Sequence, residues 1–135
     1  MSITAVITNH DYGRYLRKCL DSAAEFCDEV LVYDDGSTDD SLSIIAEYPS
    51  VNVVSREGAS GDPVWGSNHG IQDATSTHLI FLDSDNWLVA RPPETDAEYT
   101  FCDLISARDD ESFIERQPFG SLSDAWATCR TVGAL

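Results

Sequence analysis

The spacing of apolar positions changes several times along this chain, and each change marks an element. Ile3-Thr4-Ala5-Val6-Ile7-Thr8 is a short apolar run with β-branched residues, as in a buried strand. From Tyr12 the period lengthens. Tyr12, Tyr15, Leu16, Cys19, Leu20, Ala23, Ala24 and Cys27 recur three or four apart, which predicts an amphipathic helix with Asn9 or Asp11 as its cap. Glu29 to Tyr33 predicts a second strand that ends at Asp34-Asp35-Gly36. Ser37 or Thr38 then caps an expected helix bearing Leu42, Ile45 and Ala46, which stops near Pro49. Val51 to Val54 is a third strand.

Gly58 to Gly61 reads as a loop. Asp62-Pro63 suits a helix start, because proline is favoured at the first helical position. Val64, Asn68, Ile71 and Ala74 or Thr75 are expected to share that helix's inner face. His78 to Leu82 is a fourth strand, ending at Asp83-Ser84-Asp85. Beyond Pro92-Pro93 the pattern weakens. It suggests a strand over 99–105, a short one over 113–116 and a helix over 122–129. Strands alternating with helices predict an α/β fold: a mostly parallel sheet with helices on its faces.

Composition narrows the function. The 135 residues suit one domain, and an apolar fraction of 42% is normal for a globular chain. The charge is lopsided, with 24 acidic against 8 basic residues and a net of −16. No basic stripe exists to neutralise phosphates, so nucleic-acid binding is excluded, and docking on an anionic membrane is disfavoured. No apolar run reaches transmembrane length, and Met1-Ser2-Ile3-Thr4 lacks the regions of a signal peptide. A cytoplasmic protein with no membrane insertion is expected. Cys19, Cys27, Cys102 and Cys129 have neither zinc-site spacing nor disulfide density, so they are expected to be reduced core residues. Gly58 to Gly61 lacks the lysine and frame of a phosphate loop.

In open α/β sheets, ligands bind beyond the carboxyl ends of the strands. Three strands end there in polar clusters: Thr8-Asn9-His10, Asp34-Asp35-Gly36-Ser37 and Asp83-Ser84-Asp85. Asp34, Asp35, Asp83 and Asp85 are expected to line one pocket. Crowded carboxylates repel unless a cation or a proton relieves them. Oxygen ligands of this kind suit Mg²⁺ or Mn²⁺, which often completes its shell with phosphate. Each cluster by itself also has an ordinary role in turns and helix caps. Their joint placement on neighbouring strands is what points to chemistry.

The segments Ala5 to His10, Val32 to Asp39, Asn68-His69-Gly70-Ile71 and Phe81 to Trp87 fall in order and at suitable spacing. Together they resemble the nucleotide-binding half of family 2 glycosyltransferases of the GT-A fold, over residues 2 to 90. That resemblance implies one GT-A-like domain, with 1–90 as the nucleotide-sugar part and 91–135 as a reduced acceptor side. It implies inverting transfer from a nucleoside-diphosphate sugar, a UDP-sugar above all, with Mn²⁺ or Mg²⁺. Thr8, Asn9 and His10 then lie at the base, with His10 where the family commonly places a stacking tyrosine. Asp35 reads the base, with Asp34, Gly36 and Asn68 alongside in the nucleotide site. Asp83, Ser84 and Asp85 match the DXD motif: Asp83 faces ribose and metal, and Asp85 binds the metal. Trp87 follows closely enough to line a sugar pocket.

The departures are equally specific. Where the family often has a basic residue before Asn-x-Gly-Ile, this chain has Trp65-Gly66-Ser67. The family's later acidic pair has no clean counterpart, so Asp103 and Asp124 are the remaining candidates for a general base, which inverting transfer needs. A chain of 135 residues suffices for the donor half and is short for the usual acceptor half. Slow donor hydrolysis is therefore a further expected activity, with an acceptor that the sequence does not identify. The competing reading is a non-catalytic nucleotide-sugar-binding module, or a subunit whose partner completes the acceptor side. A homodimer would bury an exposed face of so small a core. Receiver domains and haloacid-dehalogenase-like phosphatases fit poorly, since both place acidic residues after the first strand, where Thr8-Asn9-His10 stands.

Overall fold

The computed structural model describes residues 1–92 in full and, beyond them, the backbone of two short strands. The chain divides into two compact units, Met1–Glu94 and Thr95–Leu135. The first unit runs β1 (Ile3–Asn9), α1 (Gly13–Phe26), β2 (Glu29–Asp34), α2 (Ser41–Ile45), β3 (Val51–Ser55), α3 (Trp65–Asp73) and β4 (His78–Asp83). In the second, β5 (Leu104–Ala107) pairs antiparallel with β6 (Phe113–Gln117), with a register shift between Ser106 and Ala107. β5 meets the expected strand over 99–105 at Leu104 and Ile105, the positions 99–103 lie outside the described residues, and the two strands form a separate sheet. The helix expected over 122–129 lies outside the described residues. No helix among the described residues is long and apolar enough to cross a membrane.

The four strands of the first unit pair in parallel, in the order β3-β2-β1-β4. Successive side chains on a strand point to opposite faces. Ala5 and Ile7 of β1 and Val30 and Val32 of β2 pack with Leu16, Cys19, Leu20 and Ala23 of α1 and Ile44 and Ile45 of α2. Val6 and the β2 residues Leu31 and Tyr33 take the other face, against Trp65 and Ala74. A three-layer α/β unit results, with burial on both sides of the central strands. That is why β1 reads as a continuous apolar run rather than an alternating one.

The same parity separates the adjacent acids at the end of β2. Asp34 follows Val32 onto the α1 side and is fully buried. Its carboxylate accepts the Asn9 side-chain amide at 2.8 Å, the Ser37 hydroxyl at 2.6 Å and the Ser37 amide at 3.0 Å. Asp34 and Asn9 are register partners across β1 and β2, so this pair locks the carboxyl ends of the two strands level. The Asn9 side-chain oxygen is itself buried without a partner.

Helix starts differ from expectation. α1 is preceded by Tyr12, which makes no side-chain cap bond, so neither Asn9 nor Asp11 caps it. Asp11 has a positive φ of 54°, and its carboxylate instead accepts the amides of Thr38 and Asp39 at 2.6 and 3.2 Å. Ser37 and Thr38 do not cap α2, which starts only at Ser41; the Ser41 amide binds Asp39 at 2.9 Å. Asp11 thus reaches across to the α2 entrance, and Asp39 binds the first amide of α1, Gly13, at 2.8 Å as well as that of its own helix.

α3 overturns the expected apolar face. Val64 and Ile71 are 52% and 56% exposed, while Gly66 and Gly70 are buried. A Cβ on Gly70 would stand 2.3 Å from a Val6 methyl, and one on Gly66 would stand 2.7 Å from the Tyr33 Cβ. The helix therefore sits on the sheet through two glycines one turn apart. Periodicity counts apolar side chains, so a face made by their absence escapes it.

These contacts set expectations for stability. Gly70→Ala should lower stability in urea by about 1–3 kcal/mol, because overpacking against Val6 outweighs the helix propensity gained. A more stable variant would refute the close approach. Asp34→Ala should cost about 2–4 kcal/mol, since it removes the buried acceptor shared by the Asn9 amide and by the Ser37 amide and hydroxyl. A loss below about 1 kcal/mol would show that the buried network is dispensable.

Candidate active site at the carboxyl ends of β1, β2 and β4

The strand order creates the site. β1 and β2 continue outward to β3, but β4 returns to the opposite side of β1. β1 thus has β2, reached through α1 on one face, to one side and β4, reached through α3 on the other face, to the other, and the carboxyl ends at this reversal of strand order are the topological switch point where ligands bind in such sheets. A cleft of about 340 Å³ opens there, within the size range of small-ligand sites.

β1 contributes Thr8 and Asn9, with His10 just beyond its end, and Tyr12 follows. β2 contributes Tyr33 and, just beyond its end, Asp35. β4 contributes Asp83, with Ser84 and Asp85 in the turn after it. The opposite wall is Asp62, Pro63, Trp65 and Gly66. Thr8 and Asp83 are register partners, and the Thr8 hydroxyl donates to Asp83 Oδ1 at 3.2 Å.

Asp35 is held on its outer side. The Ser60 amide reaches Oδ1 and the Ser60 hydroxyl reaches Oδ2, both at 2.8 Å, and Arg56 Nε lies 3.7 Å from Oδ1. Desolvation pushes this carboxyl upward, but the Ser60 bonds and Arg56 outweigh it, so it titrates below the ordinary aspartate value. Asp35 is thus an oriented carboxylate, with its side chain 22% exposed. His10 Nδ1 lies 2.8 Å from the Asp35 carbonyl oxygen. A carbonyl only accepts, so Nδ1 carries the proton and Nε2 is the outward ring nitrogen.

Asp85 behaves oppositely. Desolvation, and then the like charge of Asp83, push its carboxyl above the ordinary value. Such repulsion favours a bound cation or proton. Among the described residues no three His, Cys, Asp or Glu side chains gather into a closed metal cage. Asp83 and Asp85 are the residues here that could hold a hard cation, of the kind that takes one or two carboxylates and completes its shell with phosphate and water.

Several expected site residues stand elsewhere. Asp34 is the buried strut described above, so three of the four expected carboxylates reach the cleft, and Asp62 is a fourth that the sequence pattern did not single out. Gly36 is not in the cleft wall. Its φ is 74°, and a Cβ there would stand 2.4 Å from the Gly58 carbonyl carbon, so it is a tight turn. Asn68 is exposed on α3 and is not part of the cleft wall. Trp87 is not part of it either; Lys18 Nζ lies 3.8 Å from its ring centroid. Asp103 and Asp124 lie outside the described residues, as do Cys102 and Cys129. Cys19 and Cys27 are free thiols. Cys19 is fully buried, and burial with the nearby Asp85 and Asp83 pushes its thiol up to about 12.

Trp65 is a wall residue that the sequence left without a role. It meets Tyr33 edge-on at 6.0 Å and His69 at 5.2 Å, with Arg56 5.5 Å from its ring. His69 therefore belongs to an aromatic cluster with Tyr33 and Trp65. The one signal for Trp65 in the sequence was its place beside Gly66, at the start of a helix whose glycines form the packing face.

Comparison with known proteins agrees with this architecture. The family model for glycosyl transferase family 2 matches residues 4–90. An uncharacterized protein of Mycobacterium tuberculosis is 30% identical over 144 residues, spanning 93% of this chain and 35% of that protein. The glycosyltransferase SunS of Bacillus subtilis is 34% identical over 86 residues, spanning 63% of this chain and 20% of SunS. The crystal structure of Staphylococcus aureus TarS with UDP-GlcNAc superposes with a TM-score of 0.59 at 29% identity, over 64% of this chain and 27% of that one. This chain thus spans about a third or less of the length of these relatives. The matched region holds all but the first residue of the parallel sheet, its helices and the cleft wall among the described residues, in the GT-A arrangement, and the chain belongs to glycosyl transferase family 2.

Proposed function

We propose that the cleft binds a nucleoside-diphosphate sugar, with uridine as its nucleoside, through Mn²⁺ or Mg²⁺, for inverting sugar transfer. The observation that carries this reading is the meeting of Thr8, His10, Asp35, Asp83 and Asp85 around one cleft. The oriented carboxylate of Asp35 accepts the imide N–H of the base. His10 lies beside it, its ring fixed by the Asp35 carbonyl. Thr8 and Asp83 face the ribose, and Asp83 and Asp85 hold the cation against the diphosphate. The UDP-GlcNAc bound by TarS supports a uridine donor.

Electrostatics supports the cation. Among the described residues the cleft wall contains Asp35, Asp62, Asp83 and Asp85. A cation held by Asp83 and Asp85 would offset the repulsion between these carboxylates and a diphosphate. When bound, the metal stabilises the charge of the departing nucleoside diphosphate. The acceptor hydroxyl must lose its proton to a base as the anomeric carbon inverts. Asp103 and Asp124 are the proposed sources of that base. Without a fitting acceptor, water takes its place and the donor is hydrolysed slowly. A cytoplasmic location gives access to such donors, and a homodimer is proposed for the exposed apolar surface.

Thermal shift with UDP and UDP-sugars, with and without Mn²⁺, tests the donor site. Stabilisation is expected only with nucleotide and metal together, by about 2.7 kcal/mol at a hundredfold excess over Kd. The absence of any metal-dependent shift would refute the donor site. Asp85→Ala should abolish the metal-dependent part; an unchanged response removes Asp85 from the site. Nucleotide release should accompany binding when an acceptor is present. Stabilisation without release across many acceptors would instead identify a nucleotide-sugar-binding module or a subunit completed by a partner. Sedimentation tests the dimer, and a monomer at high concentration would refute it.

A further inference from the structure

The turn that carries Asp85 is gripped from behind by one side of α1. Cys19 Sγ lies 3.7 Å from the Asp83 carbonyl oxygen as a donor. The Asn86 amide donates to the same carbonyl at 2.9 Å, which closes the turn. On the far side of Asp85, the Ser22 hydroxyl accepts the Leu88 amide at 3.0 Å and donates to the Cys19 carbonyl at 2.9 Å. Between these anchors, Lys18 Nζ sits 3.8 Å from the centroid of the Trp87 ring. Lys18, Cys19 and Ser22 share a side of the helix, since residues three and four apart are neighbours there. Lys18 is the only lysine in the chain.

We propose that Lys18 is a positioning residue for the Asp83–Asp85 carboxylate pair. By its cation–π contact it parks Trp87 against α1, and with the Cys19 and Ser22 anchors it holds the turn on both sides of Asp85. Asp85 is exposed and follows the end of β4, so no strand pairing fixes it. Without the clamp, the turn would have to be ordered at the moment of binding, and that ordering would weaken affinity. The clamp also gives Trp87 a place outside the cleft. This inference rests on the reading that Asp83 and Asp85 hold the donor's cation.

The experiment is a Mn²⁺ titration in the presence of UDP, following free Mn²⁺ by electron paramagnetic resonance. It compares the wild type with Lys18→Met, Lys18→Arg and Arg17→Met. Arg17 neighbours Lys18 but pairs with Glu47, 2.6 Å from Nη2 to Oε1, away from the turn. Lys18→Met should weaken Mn²⁺–UDP binding by roughly three- to tenfold, the size of a partly desolvated cation–π contact. Lys18→Arg should stay within about twofold of wild type, because a guanidinium can take the same place over the ring. Arg17→Met should lower the melting temperature of the free protein and leave the affinity within that margin. Unchanged affinity in Lys18→Met overturns the proposal, as does an equal loss in Arg17→Met. If Lys18→Met does not fold, Trp87→Leu is read by the same criteria. A wild type that binds no Mn²⁺–UDP refutes the donor-site reading itself, whereas binding unaffected by Lys18 refutes only the clamp.

Discussion

The whole site depends on β1 lying between β2 and β4 in parallel register. Parallel pairing brings three carboxyl ends to one edge, and the register decides how level they stand. Asn9 faces Asp34 on one side, and Thr8 faces Asp83 on the other. Each pair is also hydrogen-bonded through side chains. The order β3-β2-β1-β4 then opens the cleft, because the chain switches sides at β1. Polar residues far apart in the chain, from Thr8 to Asp85, become neighbours through this single arrangement.

Strand parity divides labour between adjacent acids. Asp34 and Asp35 are consecutive, yet one is a buried strut and the other an open acceptor. The strut binds the Asn9 amide at the end of β1 and the Ser37 turn. Asp35 is oriented by Ser60 and Arg56, which belong to the loop after β3. The negative charge of −16 is therefore not uniform in meaning. Four carboxylates line the cleft, while Asp28, Glu29, Asp39 and Glu47 are tied into hydrogen bonds outside it.

The cleft walls are set by close approach on one side and by anchoring on the other. Gly66 and Gly70 let α3 press against Val6, Thr8 and Tyr33, which brings Trp65 to the cleft. Across from it, α1 holds the turn after β4 through Cys19 and Ser22. Ser22 looks out of place on an otherwise apolar helix face until its partner, the Leu88 amide, is seen. A buried hydroxyl is tolerated there because both its donor and its acceptor are used.

The alternation of strands and helices up to residue 90 was legible in the sequence, because buried strands and amphipathic helices have different periods. So were the polar strand ends, and with them the cleft residues Thr8, His10, Asp35, Asp83 and Asp85. The sequence alone determined the family resemblance and which polar strand ends could line a cleft. It did not separate Asp34 from Asp35, since turn chemistry and site chemistry use the same residue types. Nor did it find the α3 contact, the turn clamp or the Asp62–Trp65 wall. Those depend on which face a strand presents, how closely glycines let a helix approach, and which distant backbone groups need a partner. Such facts exist only once the layers are packed, and they decided which of the sequence's candidates reach the cleft.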